Sequence, residues 1–401
     1  MKITVLKTKR QELKRKLTGT LRKFTEGLTL PKTKFIFNFI QGILSSDSTR
    51  LALIANGIAS SNKNTSDEIY LSRNLKSFDI EQLEQNEINY YKSILPKNVT
   101  LILDKSDIAK PSAKSMENIT KIQDGSDEYK TKNGYYTSNI LTFTNFDKPI
   151  FLCSKVNNCS KSTQTEDDHN LIDYADKILS NYKRTYIVDS GYSGEMWINQ
   201  FIENKDLFIT RSAKNRKFYF NGNEYHAEEL SELQKQDFFK YKIMPVKIKN
   251  QKGAAKISFT TAKVNGVEEK LTIVIVNSTI SKPMILITNM KCKNIEDAIH
   301  IYYKYLKRWT IENGFKFIKQ QFKLEDFRIR KFKSIENLYH FVLLIFNIIS
   351  LFLKTKDSEI IKYLITISKP LKTEVKFCHY RVAEGIKIVL ANAKNNIYKY
   401  F

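Results

Sequence analysis

The sequence predicts an α/β fold: a mixed-sheet core, a β-rich insertion within it, and helical regions at either end. Three observations carry this. Short apolar runs of strand length alternate with stretches of helical periodicity over residues 99–211. Two of those runs end in a carboxylate, at Asp104 and Asp189. A block of alternating strands, residues 217–289, then separates this part from a long amphipathic helix.

The elements follow in order. Lys7, Lys9, Arg10, Lys14, Arg15, Lys16, Arg22 and Lys23 precede a helix-like stretch at 35–44. Ser48 and Thr49 are placed to cap a further helix through Leu51, Leu53, Ile54 and Ile58. Residues 60–68 read as a loop, with the next element starting at 71–75. The run VTLILD, 99–104, is a strand ending on Asp104. Strands at 136–143 and 149–156 flank the turn 145–148 and form a hairpin. A helix is expected at 171–182, a strand ending on Asp189 at 185–189, a helix at 193–203 and a strand at 207–211. In the insertion, strands fall at 241–248, 256–264 and 270–276, with Asn265-Gly266 as the turn between the last two. One long helix then spans 294–322, with Asn294 as its cap and Glu296 and Asp297 in its first turn. From about Ser334 the chain is helical again. The expected regions are 1–98 (helical, basic, DNA-binding), 99–216 (core), 217–289 (insertion), 290–334 (core, completed) and 335–401 (helical).

The charge balance points to the partner. There are 66 Lys+Arg against 42 Asp+Glu, a formal net charge of +24. Such a surplus favours a polyanion, either nucleic acid or an anionic membrane. The longest apolar run, 340–353, is interrupted by Asn347 and is shorter than a bilayer span, so it reads as a buried helix. The N-terminus, MKITVLKTKRQELKRK, has no apolar stretch of a secretory signal. Cys153, Cys159, Cys292 and Cys378 form no C-x-x-C pair and no zinc pattern with histidine, which fits a reducing, intracellular compartment. No membrane role is expected. His169, His226, His300, His340 and His379 are scattered and read as structural or surface residues, and Trp197 and Trp309 read as core or as base-stacking candidates.

The order strand, strand, strand, helix, strand, helix, strand, interruption, helix matches the ribonuclease H-like fold. In that order the first and fourth strands lie side by side, so Asp104 and Asp189 should meet at their C-terminal ends, where ligands of open α/β sheets bind. Two carboxylates there repel unless a cation sits between them. Mg²⁺ takes few protein carboxylates and fills its shell with water and phosphate oxygens. A pair of such ions suits in-line displacement at phosphorus. Taken singly, an Asp at a strand end is more often an ordinary turn or capping residue.

The third group is on the helix IYYKYLKRWTIENGFKFIKQQF, 301–322. On an ideal helix Tyr305, Arg308, Glu312 and Lys319 fall within an arc of roughly 60°, beside an apolar stripe of Ile311, Phe315, Ile318 and Phe322. Glu312 would complete a metal site, Arg308 and Lys319 would grip phosphate, and Tyr305 would donate a hydrogen bond. The plainer alternative is a solvated face with Arg308–Glu312 as an i,i+4 pair.

These residues also carry a resemblance. The pattern Y-x-x-R-x-x-x-E-x-x-x-x-x-x-K at Tyr305, Arg308, Glu312 and Lys319 is similar to the YREK signature of DDE transposases of bacterial insertion sequences, the insertion sequence 4-like group. LILDKSDIAKP, 101–111, resembles the block of that family's first catalytic Asp, followed by Lys110. YIVDSGYSGEMWINQF, 186–201, resembles the block of the second, and FITRSAKNR, 208–216, the strand after it, ending in a basic residue, Arg211. Ser72-Arg73-Asn74-Leu75 is similar in the N-terminal region. The resemblance covers about 99–335, including a β-rich insertion between the second Asp and the Glu. It implies a catalytic triad of Asp104, Asp189 and Glu312 holding Mg²⁺ (or Mn²⁺), two ions in all. It also implies DNA contacts from Tyr305, Arg308, Lys319, Arg211 and Lys110, and cut-and-paste DNA transposition with a hairpin intermediate. The implied partners are double-stranded DNA, as the inverted-repeat transposon ends and the target, and a second copy of the chain on that DNA. The setting would be the cytoplasm, at the nucleoid. The rivals are a nuclease of the same fold without strand transfer and an inactive or domesticated DNA-binding copy.

Overall fold

A computed structural model of the protein describes residues 3–58, 64–124, 127–236, 238–248, 251–355, 358–370 and 377–391. Five helices lead: α1 (Ile3–Phe24), α2 (Leu30–Ser46), α3 (Leu51–Gly57), α4 (Asn64–Ser77) and α5 (Glu81–Ile94). Next come β1 (Asn98–Ala109), β2 (Thr120–Asp124), β3 (Asp127–Phe143), β4 (Pro149–Val156), α6 (Gln164–Ile178), β5 (Lys183–Val188), α7 (Glu195–Glu203) and β6 (Leu207–Arg211). The insertion holds β7 (Lys217–Phe220), β8 (Asn223–His226), α8 (Ala227–Lys235), β9 (Tyr241–Ile248), β10 (Gln251–Val264), β11 (Lys270–Ser278) and β12 (Ser281–Thr288). The chain closes with α9 (Ile295–Leu306), α10 (Trp309–Gln321), α11 (Phe332–Phe352), α12 (Glu359–Ile367) and α13 (His379–Ala391). This is the mixed α/β, ribonuclease H-like fold with helical N- and C-terminal regions.

Several expected elements change. Of the loop expected at 60–68, residues 64–68 are helical in α4, and residues 60–63 lie outside the described residues. The cap of α3 is Arg50, not Ser48 or Thr49. The Ser48 hydroxyl instead accepts the Arg50 N–H, and the Thr49 hydroxyl donates to the Lys323 carbonyl. The long helix is broken: α9 ends at Leu306 and α10 begins at Trp309. Around the break the N–H groups of Lys307, Arg308, Thr310 and Ile311 bond three residues back, to Lys304, Tyr305, Lys307 and Arg308. That tighter winding shifts the helical phase at the break, so the single arc of an ideal helix does not apply.

The chain forms two compact units. The first comprises Met1–Pro96, Lys105–Ile178 and Glu312–Phe401; the second comprises Lys97–Asp104 and Leu179–Ile311. Within the first, β3 pairs antiparallel with β2 and with β4, and the second half of β1 runs beside β3 through Lys110 N–H to Asn133 O. Helix α11 is its centre and packs on β4 and α4. By length and composition this helix could cross a membrane, but it is 89% buried inside the protein. Phe341 joins Phe35, Phe39 and Phe78, with ring centroids 5.1 to 5.8 Å away. Asn347, the polar break in the apolar run, donates to the Tyr91 hydroxyl and the Phe151 carbonyl and accepts the Phe151 N–H at 2.7 to 2.9 Å. Asn337 donates to the carbonyls of Leu75, in the last turn of α4, and Phe78, just beyond it. The N-terminal helices therefore share one core with the C-terminal ones, and the apolar run at 340–353 is buried within it, as expected.

The second unit is built on one sheet, in the order β1-β5-β6-β12-β11-β10-β7-β8, with β9 also on β10. β1, β5 and β6 are parallel. The insertion's strands are not a separate layer: β12 pairs antiparallel with β6, Thr288 opposite Ile209, and β11 and β10 follow by hairpins. The Asn265-Gly266 turn forms as expected, with Gly266 at φ +75°, a conformation that glycine adopts without strain. Helix α8 was missed in the sequence. Its Gln234 amide donates to the Ser258 hydroxyl and the Ile275 carbonyl, fastening it to the sheet.

Candidate active site

Asp104 and Asp189 stand side by side in the second unit. The register of β1 and β5 runs from Asn98 beside Lys183 to Ile102 beside Ile187, and two residues further along each strand come the two carboxylates. Asp189 keeps an extended backbone, φ −80° and ψ −174°. Equal steps along parallel strands put both side chains on one face, on strands about 4.8 Å apart. The residues before them, Leu101 to Leu103 and Tyr186 to Val188, are fully buried. Each strand thus leaves the core at its carboxylate.

Local structure holds Asp189. Its Oδ1 accepts the Gly191 N–H at 2.8 Å, and its carbonyl accepts the Thr210 hydroxyl at 2.8 Å. A side chain at Gly191 would start 3.0 Å from that Oδ1, so the glycine leaves the carboxylate room.

Arg308 faces Asp104. Its Nη1 lies 3.1 Å from Oδ2, and each side chain is only 14% exposed. Tyr305 is buried. Burial pushes its phenol up, Arg308 and Arg211 pull it down, and Asp189 pushes it up again, so the hydroxyl sits among these charges. Arg211, at the end of β6, also donates to the Pro283 carbonyl at 3.3 Å. Lys304, which sequence reasoning overlooked, donates to the Thr185 hydroxyl at 3.1 Å and ties α9 to β5. A lysine on an amphipathic helix gives no sign that it will be half-buried against a strand.

The remaining expected residues belong to the first unit. Glu312 lies in the first turn of α10. Lys319 pairs with Asp107 at 2.8 Å and Glu325 at 3.2 Å. Lys110, expected at DNA, is turned inward: it is 8% exposed and donates to the carbonyls of Glu325, at 2.7 Å, and Phe327. Burial lowers its pKa to about 8, and the Phe327 ring lies 4.1 Å from its ammonium. Its charge fastens the 324–327 turn to the end of β1. Asp107 and Glu325 were not singled out in the sequence, because only the folded chain brings them to Lys319.

Among the described residues no three or more His, Cys, Asp or Glu side chains gather as a metal-binding group. What the second unit does offer is a pair of hard carboxylate donors with a guanidinium as their countercharge, a donor set that suits Mg²⁺ better than zinc or copper.

The transposase DDE domain family matches residues 95–348, more than half of the chain. The chain belongs to this family. No curated protein matches it. The matched stretch of this DDE transposase begins just before β1 and ends within α11, and it contains every site residue read from the sequence. The family's enzymes are metal-dependent nucleases that act on DNA, and divalent ions are their general cofactor.

Proposed function

We propose that this transposase, of the insertion sequence 4-like group with the YREK signature, cuts the ends of its own mobile element and joins them to target DNA. Asp104, Asp189 and Glu312 would hold Mg²⁺, with Mn²⁺ able to replace it. When bound, such ions activate the attacking oxygen and stabilise the leaving one. Asp104 and Asp189 offer both carboxylates on one face. Arg308 offers a bidentate grip on phosphate, and the Tyr305 hydroxyl adds one hydrogen bond. Two copies of the chain would hold the two ends. The observation that supports this reading most is the matched register of Asp104 and Asp189 on adjacent parallel strands.

The test uses labelled duplexes carrying the DNA that flanks the gene, with a target plasmid and Mg²⁺. Cleavage at the ends and joined end–target products are expected. Asp104→Asn, Asp189→Asn and Glu312→Gln should each abolish both while keeping DNA binding. Cleavage without joining would make the enzyme a nuclease, and cleavage surviving in Glu312→Gln would remove that residue from the triad.

A further inference from the structure

The cations of the first unit divide into two kinds. Lys110 and Lys319 are engaged by internal carbonyls and carboxylates, as described above. Others have no such employment. Arg50, Lys76, Arg328, Arg330 and Lys331 line one groove of about 500 Å³, together with a single acid, Glu68. Among the described residues none of the five has a carboxylate partner for its side chain. Among the described residues the Arg50 Nε has no hydrogen-bond partner, and it is shut off from water. Burying a charged donor without a partner is costly, and five like charges gathered beside a single acid repel one another. An entering anion would relieve both.

The groove's other residues fit a particular anion. The exposed Ser72 and the buried Ser334 bring hydroxyls to the same walls, and hydroxyls commonly accompany Arg and Lys at phosphate oxygens. Leu53 and Ile329 supply apolar surface suited to sugar. The start of α11 contributes little, because the Phe332 N–H is already taken by the Glu117 carboxylate at 2.8 Å. The pull on an anion therefore comes from side chains. Lys110 feels it: Arg50 and Arg328 both push its pKa down, after burial, which is the main cause.

We infer that this groove, formed by α3, α4 and residues 328–334, is a docking site for the phosphodiester backbone of duplex DNA. The inference rests on the proposed function for the class of polyanion. Sequence reasoning expected DNA binding of residues 1–98 as a region; the groove narrows this to α3 and α4 and adds residues 328–334, beyond Glu312, as its other wall.

The test is fluorescence anisotropy of a 30-bp duplex of arbitrary sequence with the full-length protein, without metal, over a range of salt. Each side chain that stops neutralising a phosphate lowers the slope of log K against log[salt] by about 0.9. Lys76, Arg328 and Arg330 are exposed, so replacing them should leave the fold intact. The variant Lys76→Ala/Arg328→Ala/Arg330→Ala should lower the slope by about 2 to 3; the corresponding Gln variant serves if the Ala protein fails to fold. The control removes three lysines that are already paired, Lys217, Lys235 and Lys242. It changes net charge equally and should leave the slope nearly unchanged. An equal fall in both, or none in the groove variant, overturns the inference while leaving the proposed function standing. A wild-type protein that does not bind the duplex overturns both.

Discussion

Replacing Arg308 by Gln should cost the metal-free protein about 3 kcal/mol, and Mg²⁺ should restore most of it. The guanidinium lies 3.1 Å from Asp104, and both side chains are 14% exposed. Asp189 occupies the register-matched place on the adjacent strand. Two carboxylates on strands about 4.8 Å apart, taken at that separation and at an effective dielectric near 20, repel by about 3 kcal/mol. Arg308 offsets that repulsion; glutamine keeps a hydrogen bond but not the charge. At roughly 2 °C per kcal/mol for a protein of this size, the melting temperature should fall by about 6 °C in EDTA. Mg²⁺ at about 100 times its Kd returns about 2.7 kcal/mol, because it binds only the folded pair. The assay is a thermal melt of wild type and Arg308→Gln, each in EDTA and in Mg²⁺. The gap should be wide in EDTA and narrow with metal. Equal melting temperatures in EDTA, or a gap that Mg²⁺ leaves untouched, would refute the idea that Arg308 stands in for a cation at the carboxylate pair.

Two other expectations concern side chains used inside the first unit. Lys110→Ala leaves the Glu325 and Phe327 carbonyls without their ammonium donor, and should lower stability by about 2 kcal/mol in a denaturant titration while leaving the salt slope of DNA binding alone; a lowered slope would return Lys110 to the DNA surface. His340 lies 2.8 Å from Glu87 and 3.4 Å from Glu84; burial acts to lower its pKa, but the two carboxylates outweigh this and raise it to about 10. Its folded value lies above its unfolded one, so its contribution is fully present below about pH 6.5 and is lost as pH rises toward 10. A His340→Gln protein should melt with a flatter pH dependence over that window, and parallel curves for the two proteins would contradict it.

The legible parts of the fold were those where one physical signal dominated. β4 and β6 fall where expected because each is an apolar run bounded by turn residues. The Asp104–Asp189 pair followed from strand order, since parallel neighbours bring matching ends together. β1 continues to Ala109 through Lys105, Ser106 and Asp107, a polar stretch whose strand character comes from pairing with β3 and not from its own pattern. The break after Leu306 has no Gly or Pro to mark it. The inward turn of Lys110 was equally hidden, because its carbonyl partners lie more than two hundred residues along the chain. Contacts of that kind are decided by packing, which periodicity does not report.

The pairing of β12 with β6 has a consequence for how this enzyme tolerates truncation. β6 carries the fully buried Phe208 and Ile209. Without β12 its outer side would present open N–H and C=O groups on an apolar strand, a template for pairing with other chains. As built, this arm of the sheet ends at the four-residue β8, which carries Asn223 and Glu224. A short polar terminus of that kind resists further strand addition. The hairpins of β7, β8 and β9 can therefore be trimmed at modest risk, but excising residues through β12 would turn a guarded sheet into a self-adhesive one. Loss of solubility would precede any loss of chemistry.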